Sequence, residues 1–313
     1  MKKISIAIAS PSFSNSSLLL EELKFLENTL IHPNTNGNRL QGDALIDFLN
    51  FSRANVAIIG LEPMTKNVLE SCPHLKMISK YGVGIDNLDL ETMKALNIKL
   101  GWTVCSNKRS VSELVLAFCF GHFRNVFSSI AKMRNGQWDK NGGRQFSDLT
   151  VGIVGLGEIS FDLAILMKSF GCKILVSDVS EKTEKCMQIG AKQVPYLELL
   201  SQSDVITFHV PSTPITRNMF DQKEIGLVKK DAFIINTARG DIVNFEATCQ
   251  AVQDKKIGGF AADVFPAEPA DCSHLREIEN LYFTPHIGGN SAEGILAMGH
   301  SAIQHVKNYI KEL

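Results

Sequence analysis

Residues 151–160 read VGIVGLGEIS. Gly155 and Gly157 stand in G-x-G spacing, and Ser160 occupies the place where a nucleotide-binding turn carries its third glycine. The flanks give this turn its weight. TVGIVG (150–155) is an apolar strand, EISFDLAILMKSFG (158–171) has helical spacing, and KILVSD (173–178) is a second strand ending on Asp178. In a strand–turn–helix of this kind the first glycine makes the turn and the second lets backbone approach a pyrophosphate. The third allows close helix–strand packing. Ser160 is therefore expected to loosen that packing without blocking the phosphates.

The bound pyrophosphate would meet the helix N-terminus, where unpaired N–H groups and the helix dipole favour an anion. Asp178, about 20 residues beyond Gly157, stands where a carboxylate accepts both ribose hydroxyls of NAD and repels the 2′-phosphate of NADP. The competing reading is that Asp178 only caps the turn before SEKTE (180–184). Glu158 fits poorly, because a negative side chain beside a pyrophosphate is unhelpful unless it points to solvent.

The chain around this turn has 313 residues, 44% of them hydrophobic, which is enough for two domains with separate cores. A formal net charge of −1 offers no field to draw in nucleic acid or an anionic membrane. Seven cysteines in no C-x-x-C pair read as reduced thiols of a cytoplasmic protein, and the eight histidines show no metal-ligand spacing, so no metal is expected. MKKISIAIASPSF at the start imitates a signal peptide, but its apolar run is short and alternating and reads as a strand.

Further strands are ISIAIA (4–9), VAIIG (56–60), KMISKY (76–81), DVITFHV (204–210), AFIINTA (232–238), GGFAADV (258–264) and LYFTPH (281–286). Helical runs at 17–30, 65–72 and 89–97 separate the early ones, and this alternation means parallel sheets with crossover helices. The helix at 110–126 is apolar nearly all round and must be covered on every side, between domains or between subunits. A two-fold homodimer contact along it is expected. The domain crossings fall near residues 100 and 287, giving a substrate domain of 1–100 plus 288–313 and a nucleotide-binding domain of 101–287.

Three stretches, NTARG (236–240), ADVFPAEP (262–269) and TPHIGGN (284–290), stand at or just after strand ends, where α/β sheets place their sites. Together they supply an arginine, an acid and a histidine. A histidine titrates near ~6.5 and can exchange a proton around neutrality. A nearby carboxylate fixes its tautomer, and a guanidinium fork grips a carboxylate in two bonds.

Eight stretches in order (KYGVGIDNLDLE, SNKRSVSELV, GQWDK, TVGIVGLGEI, ITFHVPSTPITRNM, INTARGDIV, AADVFPAEP, TPHIGG) resemble the D-isomer-specific 2-hydroxyacid dehydrogenases, and among them the phosphoglycerate dehydrogenases. The resemblance runs from about residue 76 to 290. It implies an α/β fold of two doubly wound parallel-sheet domains, a Rossmann NAD-binding domain inserted in a flavodoxin-like substrate domain. It implies Arg239, Glu268 and His286 as the catalytic set, with Arg239 also on the substrate carboxylate and His286 as acid–base paired with Glu268. Asp263 would hold the nicotinamide carboxamide. Gly155, Gly157, Glu158, Ile159, Asp178, Val210, Pro211, Thr216, Thr237, Ala238 and Gly289 would line NAD. Backbone groups of Val83 and Gly84 would meet the substrate carboxylate from the other domain.

The chain departs from that family in three places. Trp102 and Val104 stand where Asn-x-Pro is common. IIGLEPMT (58–65) carries Gly60, Leu61 and Glu62 where an arginine for the substrate phosphate is expected, and Glu62 would repel a phosphate. Lys80, Lys108 or Arg109 would have to fold inward to replace it. The sequence ends at Leu313, so the expectation is a short form without a C-terminal regulatory domain. The functional alternative on the same fold is an NADH-sensing, corepressor-like binding module.

Overall fold

The computed structural model describes residues 3–313; Met1 and Lys2, the head of the signal-like stretch, lie outside the described residues. The chain divides into two compact units. One comprises Met1–Asn107 and Gly289–Leu313, the other Lys108–Gly288.

The first unit holds a parallel sheet of β1 (Ile4–Ile8), β2 (Thr29–Pro33), β3 (Val56–Ile59), β4 (Met77–Lys80) and β5 (Lys99–Gly101) in the order β2-β1-β3-β4-β5. This is the flavodoxin-like arrangement, whose direction reverses between β1 and β3. Strand side chains alternate between two covered faces. Ala7, Ala57 and Ile59 pack with Leu45, Leu49, Val68 and Met93, whereas Ile6, Ile8, Val56 and Ile58 pack with Leu19, Leu23, Ile303 and Val306. Both faces being buried explains why these strands read as unbroken apolar runs. The helix Ala292–Lys311 returns to this unit, where the Ala302 carbonyl accepts from Ser79 Oγ at 2.7 Å.

The second unit holds β6 (Thr150–Val154), β7 (Lys173–Ser177), β8 (Lys192–Gln193), β9 (Val205–Phe208), β10 (Phe233–Asn236), β11 (Gly259–Ala262) and β12 (Leu281–Phe283). All pair in parallel, in the order β12-β11-β10-β9-β6-β7-β8. This is the Rossmann order with one further strand, and its switch point lies between β6 and β9.

The nine strands read from apolar runs are present. Three others lie outside those runs: β2, the three-residue β5 and β8. β2 lies partly inside the run taken as helical: the helix Ser17–Lys24 stops early, Asn28 turns the chain at φ 58°, and the strand begins at Thr29. β2 is an edge strand ending on Pro33, a place where proline is tolerated. β8 is a polar, two-residue edge strand.

The apolar helix runs Lys108–Phe123 and buries Val111, Val115, Phe118 and Cys119 in its own unit, packed with Ile153, Leu163 and Met167. Its exposed positions are Lys108, Arg109, Glu113 and Ala117, so its coverage comes from within the unit. Exposed apolar side chains lie instead on and just beyond the next helix, Val126–Arg134: Val126, Ile130, Met133 and Trp138. Among the described residues no single helix is long and apolar enough to cross a membrane.

Candidate active site

Gly155 follows β6 with φ 88°, and its N–H donates to the Ser177 carbonyl at 2.8 Å. A Cβ there would lie 2.7 Å from both the His209 carbonyl oxygen and Val210 Cγ1, so the turn demands glycine twice over. Gly157 caps the helix Glu158–Lys168, and beyond its immediate chain neighbours nothing lies within 4 Å of where its Cβ would stand. Protein packing does not require glycine there; close approach of a pyrophosphate does. Ser160 is fully buried and its hydroxyl donates to the Gly157 carbonyl at 3.3 Å. The third-glycine position is filled by a side chain turned back on its own helix, beside Ile159, whose carbonyl accepts from Ser112 Oγ at 3.2 Å.

The awkward charge of Glu158 is neutralised within the unit. Lys185 Nζ donates to it at 2.8 Å and Lys108 Nζ lies 3.8 Å away. The hydrogen bond and charge of Lys185 hold the carboxyl below its ordinary range. Of the two roles read for Asp178, the structure shows the turn cap, together with a bond that was not expected. Its carboxylate caps the next turn, accepting from Ser180 N and Ser180 Oγ at 2.9 Å each, and it accepts from Leu156 N in the glycine turn at 2.8 Å. Partial burial works against the charge, but these hydrogen bonds hold the pKa below the usual value. Carboxylate oxygens keep acceptor capacity after such bonds, so the residue still suits a ribose diol. Lys182 Nζ, 3.8 Å from Asp178, is a cation the sequence reading did not place there.

The chemistry-bearing side chains converge at the ends of β10, β11 and β12. Glu268 Oε2 faces His286 Nδ1 at 2.8 Å, and Glu268 Oε1 accepts from Phe265 N at 3.2 Å. The hydrogen bond to Glu268 raises the His286 pKa above its ordinary value, against burial and the Arg239 charge, which lower it. Glu268 is held below its usual range by the same partner, despite the opposing effect of burial. His286 adopts φ 53°, a left-handed conformation uncommon for a side-chain-bearing residue, as strained backbone at working sites often is.

Beneath this loop lies Asp263, 1% exposed. Its carboxylate accepts from Thr284 Oγ1 at 2.6 Å, Ile287 N at 2.8 Å and Gly288 N at 2.7 Å. Burial raises its pKa, and those bonds oppose the rise. The reading of Asp263 as a carboxamide ligand missed this second task, which is to fix both sides of His286. Asn236, 1% exposed, was also missed. Its Oδ1 accepts from Ala238 N at 3.1 Å and its Nδ2 donates to the Arg239 carbonyl at 2.8 Å, which locks the turn that presents Arg239. An Asn at a strand end before a turn is the available signal.

Among the cofactor residues read from sequence, Val210 and Pro211 follow β9, next to Gly155 across the switch point. The Thr216 hydroxyl donates to the Pro211 carbonyl at 2.6 Å and accepts from Thr213 N at 2.8 Å, so it shapes this loop. The Thr237 hydroxyl is buried without a hydrogen-bond partner, as a group awaiting a ligand would be. Gly289 belongs to the first unit, against Asn107. Val83 and Gly84 follow β4 in that unit, and Trp102 Nε1 donates to the Val83 carbonyl at 3.0 Å. The Trp102 departure thus supports the G-V-G turn.

A cavity of about 320 Å³ in the second unit is lined by Phe265, Glu268, Phe283, Pro285 and His286. A larger one, about 700 Å³, shares no lining residue with it. Among the described residues no three His, Cys, Asp or Glu side chains gather as a metal set.

Residues 116–288 match the family described as D-isomer specific 2-hydroxyacid dehydrogenase, NAD binding domain. A D-3-phosphoglycerate dehydrogenase from Haemophilus influenzae is 38% identical, over 81% of this chain and 63% of its own length. The chain spans about half to two-thirds of the phosphoglycerate dehydrogenases it matches. A glyoxylate reductase structure from Paecilomyes thermophila has the same fold, with a TM-score of 0.86 at 22% identity, covering 99% of this chain and 96% of that one. A D-lactate dehydrogenase from Aquifex aeolicus, in complex with NAD and lactic acid, superposes with a TM-score of 0.82 at 26% identity, covering 98% and 95%. With a glycine turn, an acid after the second strand and a buried threonine hydroxyl suited to NAD, the chain belongs to the D-isomer specific 2-hydroxyacid dehydrogenase family.

Proposed function

We propose that the protein is an NAD-dependent dehydrogenase that moves a hydride between nicotinamide and C2 of a D-2-hydroxy acid, with 3-phosphoglycerate as its substrate. The observation that carries this reading is the His286–Glu268 pair at 2.8 Å, at strand ends next to the turn that bears Arg239. Bound NAD supplies the hydride carrier. In the reductive direction His286, whose protonated form Glu268 favours, gives its proton to the C2 oxygen as the C=O electron pair becomes an O–H bond. In the oxidative direction it takes the proton back. Arg239 grips the substrate carboxylate and polarises the C2 oxygen. Asp263 and Glu268 position the imidazole, and since Nδ1 faces Glu268, Nε2 is the nitrogen that exchanges the proton.

The same reading makes the protein a cytoplasmic homodimer. The exposed Val126, Ile130, Met133 and Trp138 support a contact just after the helix first read for it. NADH oxidation screened over 2-keto acids, including 3-phosphohydroxypyruvate and hydroxypyruvate, tests the reaction. Turnover with none of them refutes it. A monomer in light scattering at micromolar concentration refutes the dimer.

A further inference from the structure

The turn that presents Arg239 hangs on one amide side chain. Asn236 ends β10, between Phe208 of β9 and Ala262 of β11, and is 1% exposed. A buried amide needs partners for its oxygen and for its NH2 group. Both are found in the turn: Oδ1 accepts from Ala238 N at 3.1 Å, and Nδ2 donates to the Arg239 carbonyl at 2.8 Å. The first bond closes an Asx turn, in which a side chain stands in for backbone. The second grips the chain just after the Arg239 Cα, where the same carbonyl also accepts from Ile242 N at 3.2 Å. Arg239 Nη1 in turn donates to the Ala238 carbonyl at 2.6 Å. The guanidinium therefore leans on the residue whose N–H Asn236 fixes.

The main chain of Asn236 serves the other half of the catalytic set. Its carbonyl accepts from Asp263 N at 3.0 Å. The Asp263 carboxylate accepts from Ile287 N at 2.8 Å and Gly288 N at 2.7 Å, the two N–H groups that follow His286. One buried residue thus carries the Arg239 turn on its side chain and stands behind the His286 loop through its backbone. The two arms can be separated, because a substitution at Asn236 removes the first link and leaves the second.

We propose that Asn236 is a positioning residue for substrate binding: its side chain places Arg239 relative to His286, and so decides how tightly the carboxylate of a 2-keto acid is held, while the acid–base pair works independently of it. The inference rests on the proposed hydride transfer at C2. A role confined to holding the strand end together would lower stability and leave the KM of the folded enzyme where it was.

The test measures kcat and KM across pH, at saturating NADH, for the 2-keto acid that the wild type reduces fastest, in the wild type, Asn236→Ala and Asn236→Ser. Thermal unfolding is followed on each preparation. Asn236→Ala loses both bonds to the turn. It is expected to lower kcat/KM about 100-fold, the cost of a 1 Å misplacement, with KM raised about 10-fold or more. The pH at which reduction falls off is expected to stay in place, because the His286–Glu268 bond is untouched. Asn236→Ser keeps an acceptor for Ala238 N, as serine does in turns, and is expected to recover part of the loss. A folded Asn236→Ala with KM within about three-fold of wild type overturns the proposal, and so does a limb of the pH profile that moves down. If Asn236→Ala does not fold, Asn236→Ser decides by the same two readings. A wild type that reduces no 2-keto acid overturns the dehydrogenase reading and this inference with it.

Discussion

Gly240→Ala is the sharpest probe of how the site is held together. A Cβ on Gly240 would lie 2.0 Å from both the carbonyl carbon and oxygen of Phe265 and 2.5 Å from Pro266 N. Carbon contacts become favourable only near about 3.5 Å, so one backbone or the other must retreat by more than about 1 Å. Overlap with backbone cannot be relieved by a rotamer change. Both segments carry chemistry: the Gly240 turn presents Arg239, and Phe265 N on the other side donates to Glu268 Oε1 at 3.2 Å. The opposite carboxylate oxygen meets His286 at 2.8 Å, and a retreat of this size on that side takes that bond beyond hydrogen-bond reach. Overpacking of this kind costs about 1–3 kcal/mol of stability, and a 1 Å misplacement at a reacting group costs about 100-fold in rate. The glycine turn that takes NAD follows β6, two strands away from β10, so NADH affinity should stay within a few-fold. Steady-state NADH oxidation, NADH fluorescence titration and thermal unfolding on the same preparation separate these effects. A folded variant with kcat within about three-fold of wild type refutes the argument. If the variant does not fold, Glu268→Gln breaks the same link without the overlap.

In Glu268→Gln the partner that raises the His286 pKa is gone, so the pH at which keto-acid reduction falls off should move down; an unmoved limb in kcat/KM profiles removes Glu268 from this role. His286→Ala should lower kcat by ~10²–10⁴, and Arg239→Lys should stay impaired despite its charge, both read by initial rates. Asp178→Ser should weaken NADH and improve NADPH, aided by Lys182, which lies 3.8 Å from the carboxylate; equal use of both cofactors by the wild type would contradict the part assigned to Asp178. Arg109→Ala leaves Asp162 without the partner that depresses its pKa. With the arginine half exposed, the loss should be about 1 kcal/mol near neutrality in denaturant titrations, and it should vanish as pH falls through the acid range.

The parts of this molecule legible in its sequence are those that burial or covalent neighbourhood dictates. Strands covered on both faces, such as Val56–Ile59 and Phe233–Asn236, appear as unbroken apolar runs, and the motifs after them mark strand ends without any knowledge of the fold. What pairs across the chain carries no such signal. The neutralisation of Glu158 by Lys185, and the binding of Asp263 to the His286 loop, join segments that only the sheet order brings together. The sharpest case is the charge near Gly60. Counted along the loop, Gly60–Pro63 offers only Glu62. A parallel sheet, however, delivers the loops of β1, β2, β3 and β4 to one edge, so the relevant count is taken around that edge. Arg39, which donates to the Leu61 carbonyl, belongs to the loop of β2, the strand that a helical reading of residues 17–30 concealed. Missing one edge strand was therefore enough to hide that its loop reaches the Gly60–Pro63 segment.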